Sequence, residues 1–281
     1  MCYTPLTIKQ KDSSILGTRH ITVPCGKCLT CLNRKAQGWT FRLEQEALVS
    51  KSCHFITFTY SDENLPRSPI GAPTLVKSDF QKFLKRLRKN SGGKKIKYYA
   101  CGEYGTRTQR PHYHAIMYNI PTEHLANGKV DNDWGLGHID VAQGNNLTMK
   151  YVCKYIMKSA WKNKILIDEE TGEVFEDDRQ PEFPLMSKNL GKGFITSPMI
   201  KYLKENLVGY VTMNDRKVAL PRYYKERIFT EHERKLLTKQ AEEFRQLEKD
   251  LYWKNPHLEA AHKNAKIRKH KKIVKLDRNK I

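Results

Sequence analysis

The sequence predicts an α+β fold: a central antiparallel β-sheet with helices laid against one side, and a helical extension at the C-terminal end. Three observations carry that reading. Runs dense in β-branched and aromatic residues, His54 to Tyr60, Lys95 to Gly105 and Arg110 to Asn119, read as strands. The last two are separated by a turn holding Gly105, Thr106 and Arg107, which makes them an antiparallel hairpin. Around the strands, apolar residues recur at three- and four-residue intervals, the period of helices that bury one face.

Composition narrows the class of partner. Of 281 residues, 39% are hydrophobic, enough for the core of one large domain or one domain with appendages. No run approaches the ~20 apolar residues of a membrane span. The start, Met1-Cys2-Tyr3-Thr4-Pro5, lacks the basic-then-apolar layout of a secretion signal, so an intracellular protein is expected. Lys and Arg number 51 against 30 Asp and Glu, a formal net charge of +21. That excess favours a polyanionic partner, since each neutralised phosphate releases counterions. Seven cysteines, an odd number weighted toward the N-terminal end, argue against a secreted disulfide framework.

Cys25-Gly26-Lys27-Cys28-Leu29-Thr30-Cys31 has three thiols at two-residue gaps, to which Cys2 can add a fourth. Thiolates so spaced can wrap a tetrahedral zinc, with Gly26 easing the turn; three unligated cysteines at a helix start fit the same letters. Leu32, Ala36, Trp39, Leu43 and Ala47 then mark an amphipathic helix. After the first strand, residues 61–74 read as a loop rich in turn-forming residues. Ser78 or Asp79 can cap a second helix with Phe80, Phe83, Leu84 and Leu87 inward, stopping at Ser91-Gly92-Gly93. Its remaining positions hold Lys82, Lys85, Arg86, Arg88 and Lys89, which suit phosphate contacts and equally a solvated face.

Residues 121–133 are polar with a turn at Asn127-Gly128, and residues 134–141 form a loop entering another strand, whose His138 and Asp140 face solvent. Asn145 or Asn146 caps the next helix. Ile165 to Phe175 is a hairpin around a Thr-Gly turn. Leu185 to Gly193 is a loop whose lysines and backbone amides suit phosphate; it lacks the spacing of a nucleotide-triphosphate loop, so no ATPase is implied. Residues 201–224 add short strands. Thr230-Glu231-His232-Glu233 is a capping box opening a long helix with Leu236, Leu237, Ala241, Phe244, Leu247 and Leu251 inward, ended or kinked at Asn255-Pro256. From Lys263 to Lys280 the chain is rich in Lys and Arg, a composition that binds nucleic acid nonspecifically or docks a partner protein.

The chemistry concentrates in Arg110-Pro111-His112-Tyr113-His114. Alternate side chains of a strand share a face, so His112 and His114 project together while Tyr113 and Ala115 take the other side. Two imidazoles a few ångströms apart can grip one divalent metal, and hairpin pairing can bring Glu103 beside them as an oxygen ligand. In isolation, two polar residues on a solvated strand face would look the same. Downstream, Tyr151 and Tyr155 recur at i and i+4, one face of a helix that also carries Lys154 and Lys158. Packing against a core explains a tyrosine pair taken alone; beside a metal site the phenols become candidate nucleophiles.

Phe55-Ile56-Thr57-Phe58-Thr59, then Glu103, then His112-Tyr113-His114, then Tyr151-x-x-x-Tyr155 resemble, in order, the three motifs of the HUH-type rolling-circle replication initiators. The wording is most similar to the initiators of the microviruses, small single-stranded DNA phages, and especially the gokushovirus group. The resemblance spans roughly residues 50–160. It implies a Rep-type, ferredoxin-related sheet in which the first motif is largely architectural. It implies Mg²⁺ or Mn²⁺ on His112, His114 and Glu103. Tyr151 and Tyr155 would be the attacking phenols, with Lys154 and Lys158 helping to ionise them or to hold phosphate.

The implied activity is a metal-dependent DNA nickase and strand-joining enzyme that leaves a 5′-phosphotyrosine and a free 3′-hydroxyl. The implied partners are a single-stranded phage origin and the host helicase and polymerase, with no membrane, in the cytoplasm of a bacterial host. A noncatalytic single-stranded nucleic-acid-binding protein, or a relaxase or transposase using the same chemistry, would share much of this pattern. The expected organisation is a cysteine-bearing segment and helix over 1–50 with a candidate structural zinc on Cys2, Cys25, Cys28 and Cys31. The HUH endonuclease domain is expected over 51–225 and a helical, basic extension over 226–281.

Overall fold

The β-branched and aromatic runs form strands and pair as one antiparallel sheet, in a computed structural model that describes residues 2, 4–11, 18–158, 165–167, 172–213, 215–253, 255, 257, 258, 260, 261, 264, 265 and 268. The chain divides into two compact units, Met1–Phe194 and Ile195–Ile281.

In the first unit an exposed hairpin, β1 (Leu6–Lys11) and β2 (Thr18–Val23), precedes the long helix α1 (Leu29–Val49). Strand β3 (Cys53–Thr59) leads through the 61–74 loop to α2 (Lys77–Asn90). Neither Ser78 nor Asp79 caps α2, because the helix begins earlier, after Val76; Asp79 sits in the first turn and accepts a hydrogen bond from Tyr60 Oη. Then come the hairpin strands β4 (Lys97–Tyr104) and β5 (Pro111–Tyr118). The polar stretch after β5 is helical, as α3 (Thr122–Ala126) and α4 (Lys129–Trp134), with Gly128 left-handed at φ 62° between them. Strand β6 (Ile139–Gln143) and helix α5 (Asn146–Lys158) follow. The expected hairpin exists as β7 (Ile165–Ile167) and β8 (Val174–Glu176), its turn lying outside the described residues. Strand β9 (Phe183–Met186) completes the sheet, in the order β6-β3-β5-β4-β9.

Strand β5 is central, and Tyr113 to Tyr118 are all buried, so both faces of the sheet need cover. On one face Ile56, Phe58, Tyr113 and Ala115 meet Phe80, Phe83 and Leu87 of α2 and Trp134 of α4. On the other, Tyr99, Ile116 and Tyr118 meet Leu43 of α1 and Met149, Val152 and Cys153 of α5. Helices therefore cover both faces, not one; the polar letters of 121–133 concealed two short helices whose buried residues include Val130 and Trp134. Gly137 lets two backbones close up here, since a Cβ would collide with the Thr59 carbonyl, while the neighbouring carbonyls of Leu136 and His138 accept from Ser61 and Thr59.

The second unit holds α6 (Ser197–Glu205), the hairpin β10 (Tyr210–Met213) and β11 (Arg216–Ala219), α7 (Arg222–Ile228) and α8 (Glu231–Trp253). The capping box forms: Thr230 N donates to Glu233 Oε2 at 2.6 Å and Glu233 N to Thr230 Oγ1 at 3.3 Å. The apolar stripe of α8 is not inward as expected. Leu237 is 7% exposed, whereas Leu236, Phe244 and Leu247 are 38%, 64% and 64% exposed and Ala241 is exposed. Periodicity reports an apolar face, not what covers it. The side chain of Leu251, the Pro256 break and almost all of the basic stretch from Lys263 lie outside the described residues.

Helix α1 is fastened to the sheet by an ion pair between Lys97 Nζ and Glu46 Oε1 at 2.6 Å, where Glu46 is 2% exposed and its Oε2 accepts from Gly191 N. Removing one partner of such a pair strands a buried charge. Lys97→Met is expected to cost about 3 kcal/mol in urea unfolding, and Glu46→Gln in the same chain to restore most of it; an unchanged midpoint in the single variant would contradict the clamp.

Candidate active site

The antiparallel register of β4 and β5 sets Glu103 directly opposite His112 and Cys101 opposite His114. Strand alternation puts both imidazoles on the face covered by α1 and α5. There a single carboxylate oxygen serves both rings: Glu103 Oε1 lies 2.8 Å from His112 Nε2 and 2.9 Å from His114 Nε2. Glu103 is 2% exposed and His114 7%, while His112 is partly open.

The far side of each ring is held as well. His112 Nδ1 lies 3.1 Å from the Arg110 carbonyl, which can only accept, so Nδ1 carries the proton and Nε2 is the lone-pair end of the neutral ring. His114 Nδ1 meets Thr57 Oγ1 at 3.0 Å, across the β3–β5 pairing. Orienting contacts of this kind are what metal-binding imidazoles use.

A neutral His112 with its proton on Nδ1 has none to give Glu103. The 2.8 Å contact is therefore satisfied by an imidazolium or by a cation between the donors. The three ligand atoms lie within 4.8 Å of one another, and octahedral coordination at ~2.1 Å puts adjacent donors ~3 Å apart, so the group fits a divalent metal.

Burial alone pushes the Glu103 carboxyl up, but hydrogen bonds from His112 and His114 outweigh it and hold Glu103 below the usual carboxylate range. Burial pulls His112 down; its hydrogen bond to Glu103 and that residue's charge, with Glu182 adding, leave it above the ordinary imidazole value.

Helix α5 brings Tyr151 to the same place. Asn145 is the cap, its Oδ1 accepting from Leu147 N and Thr148 N at 2.9 and 3.0 Å. With Met149, Val152 and Cys153 buried against the sheet, Tyr151 falls at the edge, 39% exposed. Its ring stands edge-on to His114 at 5.3 Å and to Phe55 at 6.0 Å, and Phe55 stacks on His114 at 5.3 Å. Lys154 is half-buried on the same helix. Tyr155 and Lys158 occupy its last turn, but the placement of their side chains lies outside the described residues. Among residues not singled out from sequence, Thr57 orients His114, and Glu182, whose Oε1 accepts from Tyr104 N, acts on His112. A polar β-branched residue in the middle of a buried strand was the available signal for Thr57. His54 and His138 stand outside the group, as expected.

A second cluster forms at the N-terminal end. The Sγ atoms of Cys2, Cys25, Cys28 and Cys31 all lie within 4.8 Å of one another, with Cys2 at 3.4 Å from Cys25 and 3.7 Å from Cys28. A tetrahedral zinc with ~2.3 Å bonds to sulfur sets its thiolates ~3.8 Å apart. Cys25 N donates to Cys2 Sγ and Cys28 N to Cys25 Sγ, and Gly26 is left-handed at φ 75°. A Thr4 side-chain hydrogen bond and the Cys28 and Lys27 amides lower the Cys25 thiol to about 5, while burial raises Cys31 to about 12. Cys2 and Cys25 bracket the β1–β2 hairpin, so the cluster closes its base onto the start of α1.

Residues 53–160, from β3 through α5, match the family profile of the replication-associated protein ORF2. By that match this segment belongs to the phage replication-associated proteins. The chain is similar to the replication-associated protein ORF2 of Spiroplasma virus 4, 28% identical over 74% of the chain and 68% of the relative. It is similar to the replication-associated protein ORF4 of Chlamydia phage 1, 25% identical over 78% and 55%, and to the replication-associated protein VP4 of Bdellovibrio phage phiMH2K, 27% identical over 72% and 66%. The chain thus spans little more than half the length of the Chlamydia phage protein. No solved structure matches it. The profile covers Glu103, His112, His114 and Tyr151 together, and excludes the cysteine cluster. No helix among the described residues of this replication-associated chain is long and apolar enough to cross a membrane.

Two outcomes follow from the geometry. In metal-free protein, the His112 contribution to stability is present in full below about pH 6.5 and lost as pH rises through its raised value. The Glu103 contribution is present above about pH 4.3 and lost as pH falls through its lowered value. A cation needs neutral imidazoles, so calorimetric titration should show Mn²⁺ binding more tightly at about pH 8 than at about pH 6; equal affinities would contradict the site. Thr57→Val, which keeps the shape and deletes the contact to His114, is expected to weaken Mn²⁺ binding about tenfold to a hundredfold.

Proposed function

We propose that this chain is a metal-dependent, site-specific single-stranded DNA nickase and strand-joining enzyme that initiates rolling-circle replication of a small circular phage genome. The observation that carries the reading is the meeting of Glu103, His112 and His114 with the Tyr151 ring on one face of the sheet. Two imidazoles and a carboxylate suit Mg²⁺ or Mn²⁺, the imidazoles favouring Mn²⁺. A divalent ion held there supplies Lewis acidity, withdrawing charge from a scissile phosphate.

The chain's own groups do the rest. Tyr151 Oη attacks phosphorus; the P–O3′ bond breaks, the phenolic proton is given up and the 3′ oxygen takes one. The products are a 5′-phosphotyrosine and a free 3′-hydroxyl that primes synthesis. A free phenol ionises near pH ~10, and Lys154, on the same helix, favours the phenolate or holds phosphate. Tyr155, one turn on, accepts the strand after a full circle, with Lys158 beside it in sequence. The ester keeps the phosphodiester's energy, so rejoining needs no ATP. The partly open His112 and Tyr151 leave the phosphate a way in. The substrate is the single-stranded phage origin, and the host helicase and polymerase act on the primed product in the bacterial cytoplasm. A purely binding protein would have no use for a buried carboxylate shared by two oriented imidazoles.

Incubation with single-stranded origin DNA and Mn²⁺ should give a covalent adduct that migrates with the protein on a denaturing gel. Tyr151→Phe combined with Tyr155→Phe should reduce it to background; an adduct that persists in the double variant would overturn the assignment.

We further propose that the four cysteines hold a structural zinc. The purified chain should carry about one zinc, and Cys31→Ser should release it and expose the N-terminal hairpin to limited proteolysis while adduct formation persists. Zinc-free protein with an equally protected hairpin would contradict this.

A further inference from the structure

Two stretches singled out in the sequence for phosphate, the cationic end of α2 and the Leu185–Gly193 loop, are not used by the nicking site. The fold brings them together. Helix α2 ends at Asn90, the following turn is left-handed at Gly92 and Gly93, and the chain returns into β4 beside the residues that follow β9. The junction is fixed by backbone and side-chain bonds: Tyr98 N donates to Ser187 Oγ at 3.0 Å and Ser187 N to the Tyr98 carbonyl at 2.9 Å. It encloses a concave site of about 530 Å³ lined by Arg88, Lys94, Lys95, Lys97 and Lys188, with no acidic residue in the lining.

The charges here are not alike. Lys97 is neutralised by Glu46 at 2.6 Å, and the Arg88 guanidinium lies 5.7 Å from the centre of the Tyr98 ring. Lys94, Lys95 and Lys188 are exposed and enter no ion pair with any described residue. The cationic face of α8 differs: Lys235 pairs with Glu231 at 2.9 Å and Lys239 with Glu243 at 4.0 Å. Like charges gathered in a concavity without counter-charge repel one another, and a polyanion removes that repulsion. A strand from Tyr98 to Glu103 spans roughly 17 Å, so this site is separate from the one that holds the scissile phosphate.

We infer that the concavity between the end of α2, the start of β4 and the loop after β9 is a second nucleic-acid contact, taking backbone phosphates of the origin DNA outside the nicked bond. The inference rests on DNA being the substrate, and its test reads binding without cleavage. In the Tyr151→Phe, Tyr155→Phe background, the full chain is titrated by fluorescence anisotropy against a labelled hairpin duplex and a labelled single strand over a range of KCl concentrations.

Lys94→Gln, Lys95→Gln and Lys188→Gln together should weaken binding roughly a hundredfold at ~150 mM salt. They should also lower the slope of log affinity against log salt by about 2.7 if the contact is to duplex, or about 2.1 if it is to single strand. Loss on only one of the two DNAs identifies which form the concavity holds. Lys188→Gln alone should lower the slope by about 0.9 or 0.7, which keeps the test open should the triple variant unfold. The paired lysines serve as control, Lys235→Gln with Lys239→Gln leaving the slope nearly unchanged. Affinity and slope unaltered on both DNAs in the folded triple variant would overturn the inference. Because no step depends on an adduct, failure of the nicking chemistry would leave this result intact, and the reverse.

Discussion

One carboxylate oxygen, Glu103 Oε1, shared between two imidazoles, is the constraint on which the rest of the site depends. A carboxylate at 2% exposure is stable only with positive charge beside it. The sheet supplies that charge in one of two forms, an imidazolium or a bound cation. Both occupy the same well, so protonation and metal binding compete directly. The arrangement is fixed by register. A slip of one residue between β4 and β5 would turn both histidines to the opposite face and drive Tyr113 and Ala115 out of the core they share with α2 and α4. The hydrophobic core on the far face therefore holds the polar site in place.

The same logic places the nucleophile. Helix α5 is docked by Met149, Val152 and Cys153, and a helix that buries those positions carries Tyr151 to the rim, against His114. Phe55 and Thr57, alternate residues of β3, brace His114 from its flat side and from Nδ1. Sheet, helix and ring contacts thus set the phenol beside the imidazoles without any flexible loop, which is what a site that must orient a phosphate requires.

Much of this was legible in the letters. The His-x-His spacing, its proline-led strand and the short turn back to Glu103 define register through local rules alone, and the Tyr151 helix follows from its cap and its period. Four sulfurs within reach of one another could be anticipated for the three clustered cysteines; that Cys2 joins them depends on the β1–β2 hairpin, whose strands carry no strong pattern. Less legible were features decided by tertiary contact. Residues 122–134 look polar because their helices are short and mostly solvated, yet Trp134 is fully buried and anchors them through a hydrogen bond to the Thr59 carbonyl. The outward stripe of α8 shows the converse, an amphipathic pattern without a cover in its own unit. Thr57 and Glu182 gain their roles only from cross-strand neighbours far away in sequence.

Charge is distributed as unevenly as burial. The cations of α8 are largely answered by acids one turn away, whereas those near the start of β4 are left to face solvent together. The shared oxygen remains the central claim, and diffraction tests it most directly. Crystals of the chain grown with Mn²⁺ and measured at the manganese edge should show one anomalous peak within bonding distance of Glu103 Oε1, His112 Nε2 and His114 Nε2. A fully occupied manganese elsewhere, with those three atoms still in mutual contact and no peak between them, would contradict it.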